Sequence, residues 1–126
     1  QQKAEPKKAA PKNKETQPVN LVTIDQVGQV QLKTATVIEA VKVPEADKLL
    51  KLQLQIGDEK RQIVSGIAEF YTPDQLIGMT IVVIVNLKPA VIRGIESNGM
   101  LLAAKKGKTL RLVTTDGEIA SGASIG

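Results

Sequence analysis

The chain has 126 residues, 42% of them hydrophobic and 24% charged, with a formal net charge of +4, enough for one domain with a real hydrophobic core. It contains neither cysteine nor histidine, which removes disulfide frameworks, thiol catalysis, Cys- and His-based metal sites and the usual general base at neutral pH. No apolar run of about 18 residues exists to span a membrane, and the polar, lysine-rich start has no apolar signal segment.

In chain order, residues 1–20 (QQKAEPKKAAPKNKETQPVN) come first, and with Gln1 in place of a methionine the chain reads as a piece of a longer protein. This stretch holds five lysines against two glutamates, a balance of +3, whereas residues 21–126 hold 12 Lys and Arg against 11 Asp and Glu, a balance of +1. With Pro6, Pro11 and Pro18 and almost no large apolar residue, it cannot bury enough surface to offset its ordering entropy and reads as a disordered linker. The globular domain is expected over 21–126. VTIDQV carries Thr23 and, three residues on, Gln26, a capping-box pattern for one short helix. Strand patterns follow. KTATVIEAVKV (33–43) is β-branched and alternating, and LLKLQLQI (49–56) alternates Leu or Ile with Lys or Gln, the pattern of a half-buried antiparallel strand. GDEK (57–60) reads as a hairpin turn and RQIVSGI (61–67) as the third strand. TPDQLIG (72–78) reads as a short helix with Pro73 in its first turn and Gly78 ending it. TIVVIVN (80–86) is apolar enough to be central, GMLLAA (99–104) and TLRLV (109–113) follow, and a last strand is expected near Glu118–Ile119. Three strands, a helix and two strands is the order of the all-β, five-stranded oligonucleotide-binding (OB-fold) barrel, here with a C-terminal strand extension.

Between the apolar runs lies VNLKPAVIRGIESNGMLLAA (85–104), longer than the two to five residues that a strand connection needs. It carries Lys88, Pro89, Arg93, Gly94, Glu96, Ser97, Asn98 and Gly99: two cations, small polar groups and turn-forming residues. It is either a solvated loop or a binding surface.

VIEAVKVPEADKLLKLQLQIGDEKRQIVSGI, followed by VVIVNLKPAVIRGIESNGMLLAA, resembles the tRNA-binding domain appended to bacterial methionyl-tRNA synthetases. It is similar also to free-standing bacterial tRNA-binding proteins, to part of the phenylalanyl-tRNA synthetase β-chain and to eukaryotic synthetase cofactors. The resemblance covers about residues 21–126 and rests jointly on the P-x-A-D-K-L, I-V-S-G-I, N-L-K-P and R-G-I-E-S-x-G-M-L-L-A motifs. Family members often place a histidine before the proline where this chain has Val43-Pro44, so no role of that histidine transfers.

Phe70 and Tyr71 are the sole aromatics, and both are expected to pack beneath the barrel rather than serve as stacking platforms. Binding must then rest on cations, polar groups and backbone. Lys88 and Arg93 suit phosphate oxygens, while Ser97 and Asn98 suit sugar hydroxyls or base edges. Gly99 allows close backbone approach, and Met100 offers an adaptable apolar contact to an unstacked base. Each has a plainer alternative: Lys88 as a solvated turn residue, Arg93 paired with Glu96, Ser97 and Asn98 as turn chemistry, Met100 as core. Ser65-Gly66 is a strand bulge or part of the binding face, Asn86 a strand-end residue or a contact, and Lys48 a solvated charge or a contact. Lys33 and Lys42 flank the first strand. Lys105, Lys106 and Lys108 form a cluster at a hairpin tip that is either a solvated turn or an extension of the phosphate track.

The resemblance implies a cytoplasmic, non-catalytic module that binds tRNA broadly, without cofactor, metal or small-molecule substrate. Joined to a synthetase by a flexible linker, it raises the local tRNA concentration. It further implies a homodimer through the C-terminal extension, with Val113, Ile119 and Ile125 near the interface; the alternative is that the extra strands cover their own barrel. A mainly structural dimerisation module and a free-standing tRNA-binding protein are the competing readings. A small enzyme built on Asp25, Asp47, Asp58 or Asp116 lacks any pairing of its carboxylates.

Overall fold

The computed structural model of the chain describes residues 20–126; apart from Asn20, the linker expected over 1–20 lies outside the described residues. Two short helices, α1 (Ile24–Gly28) and α2 (Pro73–Leu76), accompany ten strands: β1 (Leu32–Val43), β2 (Ala46–Ile56), β3 (Glu59–Ser65), β4 (Thr80–Ile84), β5 (Ala90–Ile92), β6 (Ile95–Ser97), β7 (Met100–Leu101), β8 (Ala103–Lys106), β9 (Thr109–Leu112) and β10 (Ser124–Ile125). Both helices begin with a capping box: Thr23 with Gln26, as read from the sequence, and Thr72 with Gln75, which the reading of 72–78 from Pro73 and Gly78 did not name.

The main sheet is antiparallel in the order β3-β2-β1-β4-β7, with β10 also on β1. Alternation along β2 buries Leu50, Leu52, Leu54 and Ile56, and leaves Lys51, Gln53 and Gln55 half-exposed, as a two-faced strand requires. β1 is long enough to pair with β2, β4 and β10, helped by two register shifts, between Val37 and Glu39 and between Lys42 and Val43, of the bulge kind that bends a strand. The main core gathers Val37, Leu52, Leu54, Ile63, Leu76, Ile81 and Val83 from one face, with Leu110 and Leu112 of the β8–β9 hairpin. Phe70 and Tyr71 pack against that core, and the Leu112 amide donates to the Tyr71 hydroxyl at 3.2 Å. A smaller cluster of Val43, Ala46 and Val64 lies under Leu49, Ile92 and Ile95.

The middle strand of the order is β1, which pairs with three strands, while the apolar run over 80–86 supplies β4, internal between β1 and β7. The structure departs from the sequence reading in three places. Residues 99–104 are two strands, with a break at Leu102, whose amide donates to Val82 and whose carbonyl accepts from Val113. Glu118–Ile119 is not a strand: Asp116-Gly117 and Ser121-Gly122 bend the chain on either side, and the terminal pairing falls at β10 instead. Finally, no ladder joins β3 to β7 among the described residues, so the sheet does not close through strand pairing. With only two residues, β7 pairs with β4 and leaves the facing edge of β3 to other partners.

The C-terminal stretch is fastened along β1. The Thr34 hydroxyl donates to the Ala120 carbonyl at 2.9 Å and accepts the Ala123 amide at 3.0 Å. Gly122, at φ +89°, lies against Gly57 so closely that a Cβ there would meet its backbone at 2.9 Å. Gly122→Ala therefore combines left-handed strain with a backbone clash. It should lower unfolding free energy by about 1–3 kcal/mol or more, whereas Gly117→Ala, which meets nothing within 4 Å, should stay within about 0.5 kcal/mol; chemical denaturation of the two variants checks both.

Candidate functional site

One end of the sheet carries two tight turns in contact. Val43 opposite Ala46 leaves Pro44-Glu45 as the loop of the β1–β2 hairpin, and Glu45 has φ +62°, a type II turn with proline in its favoured position. Ile92 opposite Ile95 leaves Arg93-Gly94, with φ +54° and +79°, the two left-handed residues of a type I′ hairpin. Glu45 and Arg93 are the sole non-glycine residues with positive φ among the described residues, and they touch: Arg93 Nη2 donates to the Glu45 carbonyl at 3.3 Å. Two strained residues facing one another mark a place the surrounding structure holds deliberately. The support is the small cluster of Val43, Ala46, Val64, Ile92 and Ile95 directly beneath.

The hairpin of β5 and β6 was unforeseen in the sequence, where 85–98 read as a connection. A groove of about 600 Å³ runs between the turns, lined by Glu45, Asp47, Lys48, Leu49, Ile92 and Arg93. A second, of about 300 Å³, lies on the other side of Ile92, with Ser65, Gly66, Leu87, Lys88, Ala90 and Met100 in its wall. The structure thus brings Lys48, Ser65, Gly66, Lys88, Arg93 and Met100 together around one apolar ridge. Met100 is 48% exposed, on the surface rather than in the core. Arg93 makes no ion pair with Glu96; Arg61–Glu59, at 2.6 Å, is the one salt bridge among the described residues.

Of the remaining predicted residues, Ser97 and Gly99 also line the second groove, and all are tied into the scaffold. Ser97 is 4% exposed; its Oγ accepts the Val64 amide at 2.9 Å and lies 3.5 Å from the Gly99 carbonyl. Gly99, at φ +135°, is buried against the chain's own Ile84 carbonyl, 3.0 Å from where a Cβ would sit, so its close approach is internal. Asn98 donates its backbone amide to the Gln62 carbonyl at 2.8 Å, and its residue is half-buried. Asn86 spends both ends of its amide on the segment before β1: Nδ2 donates to Gln29 at 2.7 Å and Oδ1 accepts from Gln31 at 2.9 Å. These partners stand 55 and 57 residues away, and no local pattern announces them. Glu45, Asp47, Leu49 and Ile92 were missed; a proline followed by one residue between two strand patterns was the available signal for the first of them.

Charge at this end is balanced. Exposed Lys48, Lys88 and Arg93 stand among exposed Glu45, Asp47 and Glu96. The site can therefore offer local hydrogen-bond donors and apolar surface, but little long-range field.

The family model described as "Putative tRNA binding domain" matches residues 32–124. A methionine–tRNA ligase of Thermotoga maritima is 59% identical over 106 residues, 84% of this chain and 17% of that protein; one of Bacillus subtilis is 47% identical over 123 residues, 95% of this chain and 18% of that protein. The chain thus spans less than a fifth of the length of these curated relatives. Among solved structures, a MetRS-related protein from Pyrococcus horikoshii superposes with a TM-score of 0.80 at 35% identity, covering 85% of this chain and 99% of that one.

Ser97→Ala would leave the Val64 amide buried without its acceptor. The variant should lose about 1–3 kcal/mol of stability, while Glu96→Ala next to it, exposed and unpaired through its side chain, should change stability by less than about 0.5 kcal/mol; equilibrium unfolding of both decides.

Proposed function

The chain belongs to the tRNA-binding domain family, and from that premise we propose that it holds tRNA on the paired-turn surface around Ile92 and delivers it to a catalytic partner without taking part in chemistry. The observation that carries the proposal is the convergence of Lys48, Lys88 and Arg93 on two grooves sharing one apolar ridge. The strained Arg93 turn aims a guanidinium that forks onto phosphate oxygens, and Lys48 and Lys88 act as point charges beside it. Leu87, Ile92 and Met100 give unstacked bases an apolar surface in place of aromatic platforms. Ser65, Gly66 and the half-buried Asn98 supply hydroxyl, backbone and amide groups. Ser97 and Asn86 contribute by holding the loop rather than by touching RNA.

The arrangement fits a partly open oligonucleotide-binding barrel, in which β1 to β3, β4 and β7 are the five strands and ligands lie across the face flanked by the first and last loops. Such a surface reads shape and backbone more than sequence, so recognition is broad across tRNAs. The similarity to segments of methionine–tRNA ligases supports a synthetase as the parent, with the module tethered so that effective tRNA concentration reaches ~mM at the active site. The Pyrococcus horikoshii relative, covered over 99% of its length, supports a free-standing arrangement as the second reading.

A homodimer completes the proposal. Leu21, Val22, Ile24 and Val27 are all exposed, Leu21 at 89% and Ile24 at 82%, and α1 buries none of its residues. This apolar segment borders Leu32 and Ile125 of the β1–β10 pair, and contiguous exposed apolar residues of this kind mark interaction surfaces. Of the three interface residues read from the sequence, Ile125 lies here; Ile119 lies beside Thr80 and Val113 bonds to β4 at Val82, so neither belongs to this patch.

Titration of the 126-residue chain with a folded tRNA, against equal-length single-stranded DNA as competitor, tests the binding surface. Lys88→Ala combined with Arg93→Asn, which keeps a residue suited to the type I′ turn, should weaken tRNA binding tenfold or more. It should also reduce the salt slope by about 2; unchanged binding would exclude this surface. Separately, Val27→Asp should convert the chain from dimer to monomer in sedimentation, and a species unchanged in mass would remove α1 from the interface.

A further inference from the structure

The loop site is charge-balanced, yet the folded domain is not uniform. Residues 101–115 (LLAAKKGKTLRLVTT) contain Lys105, Lys106, Lys108 and Arg111 and no acidic residue. Without these four, the 12 cations of residues 21–126 become 8 against 11 Asp and Glu, a balance of −3 in place of +1. The positive charge of the domain is therefore concentrated on the β8–β9 hairpin.

That hairpin is a built platform. Lys105 pairs opposite Leu110, Lys106 opposite Thr109 and Ala104 opposite Arg111, so residues facing each other share a side. Leu110 and Leu112 are buried in the main core and the Leu112 amide is tied to Tyr71. Lys105 lies over the Phe70 ring, 5.6 Å from its centre, held by a cation–π contact. Lys106 and Arg111 stand on the opposite, outer side, with Lys108 in the turn; all are exposed. None meets a carboxylate, since Arg61–Glu59 is the sole ion pair among the described residues. From Met100 at the loop site the chain runs through β7 into β8 to reach Lys106, a path of at most about 20 Å at ~3.3 Å per residue.

We infer that the β8–β9 hairpin is a second RNA contact, which grips the phosphate backbone of the same tRNA whose exposed nucleotides rest on the loop site. This rests on the tRNA-binding reading and extends it by dividing the work: the hairpin supplies attraction and orientation through counterion release, and the balanced loop site supplies fit. The small Ala103 and Ala104 side chains beside the lysines provide none of the apolar anchoring that a lipid surface needs, which favours RNA over membrane.

The test compares the 126-residue chain, its Lys106→Gln, Lys108→Gln, Arg111→Gln variant, and a Lys106→Arg, Lys108→Arg variant that keeps the charge, with equal unfolding midpoints as the check on folding. The expected result is a loss of about 2–3 from the salt slope of tRNA binding in the glutamine variant, at 0.7–0.9 per contact. Its association rate should fall at least tenfold, while the arginine variant should behave as the parent chain. An unchanged slope and rate in the glutamine variant, while Lys88→Ala with Arg93→Asn weakens binding, would overturn the hairpin assignment and leave the loop site standing. No tRNA binding by the parent chain would overturn both. Loss of binding to vesicles containing anionic lipid, with tRNA affinity retained, would reassign the hairpin to a membrane surface.

Discussion

An exposed sheet edge carries a row of amides and carbonyls that must find partners, and at β3 a mixture of side-chain and backbone bonds to the segment after β4 takes the place of a ladder. Arg61 Nη1 donates to the Val85 carbonyl at 2.6 Å and lies 3.5 Å from that of Asn98. Gln62 Nε2 reaches the Glu96 carbonyl at 2.8 Å, Asn98 returns its amide to the Gln62 carbonyl at 2.8 Å, and Ser97 Oγ receives the Val64 amide. Together these clasp the segment after β4 onto β3 where no strand ladder does. The candidate site depends on that clasp, because the β5–β6 hairpin hangs between its two ends. Release it, and Arg93 loses its fixed place beside the β1–β2 turn.

The same arrangement explains which parts of the molecule were legible in the sequence. Alternation in 49–56 and the Thr23–Gln26 capping box are local signals, and local physics decided them. The β5–β6 hairpin has three-residue strands, too short for periodicity to register, and its Arg93-Gly94 turn lacks the Asn or Asp that usually announces a type I′ hairpin. Ser97 and Asn86 looked like surface ligands because each is a small polar residue in a turn-rich stretch. The Val64 partner of Ser97 and the Gln29 and Gln31 partners of Asn86 lie 33 residues away or more, and a polar group with a long-range partner cannot be distinguished by type from one facing solvent. Lys48, Lys88, Arg93 and Met100 are exposed, as their residue types suggest, and the fold brings them to two adjoining grooves.

Electrostatics gives the functional account its shape. A binding surface with as many acids as bases does not attract RNA from a distance, yet balanced charge suits a module that must release what it binds. In the proposed account the hairpin lysines and the loop grooves address different properties of one ligand, backbone charge and local form. A tether adds effective concentration without new contacts, so each contact can remain modest. The strained turns at Glu45 and Arg93 cost stability, which the apolar cluster of Val43, Ala46 and Val64 beneath them offsets.

The central claim is that tRNA rests on the surface around Ile92. Backbone amide chemical shifts of the 126-residue chain, followed through a titration with folded tRNA, address it most directly. The account predicts that shifts concentrate at Lys48, Ser65, Gly66, Lys88, Arg93 and Met100 and extend to the β8–β9 hairpin. Shifts confined to α1 and the β1–β10 pair, with the two turns unperturbed, would contradict it.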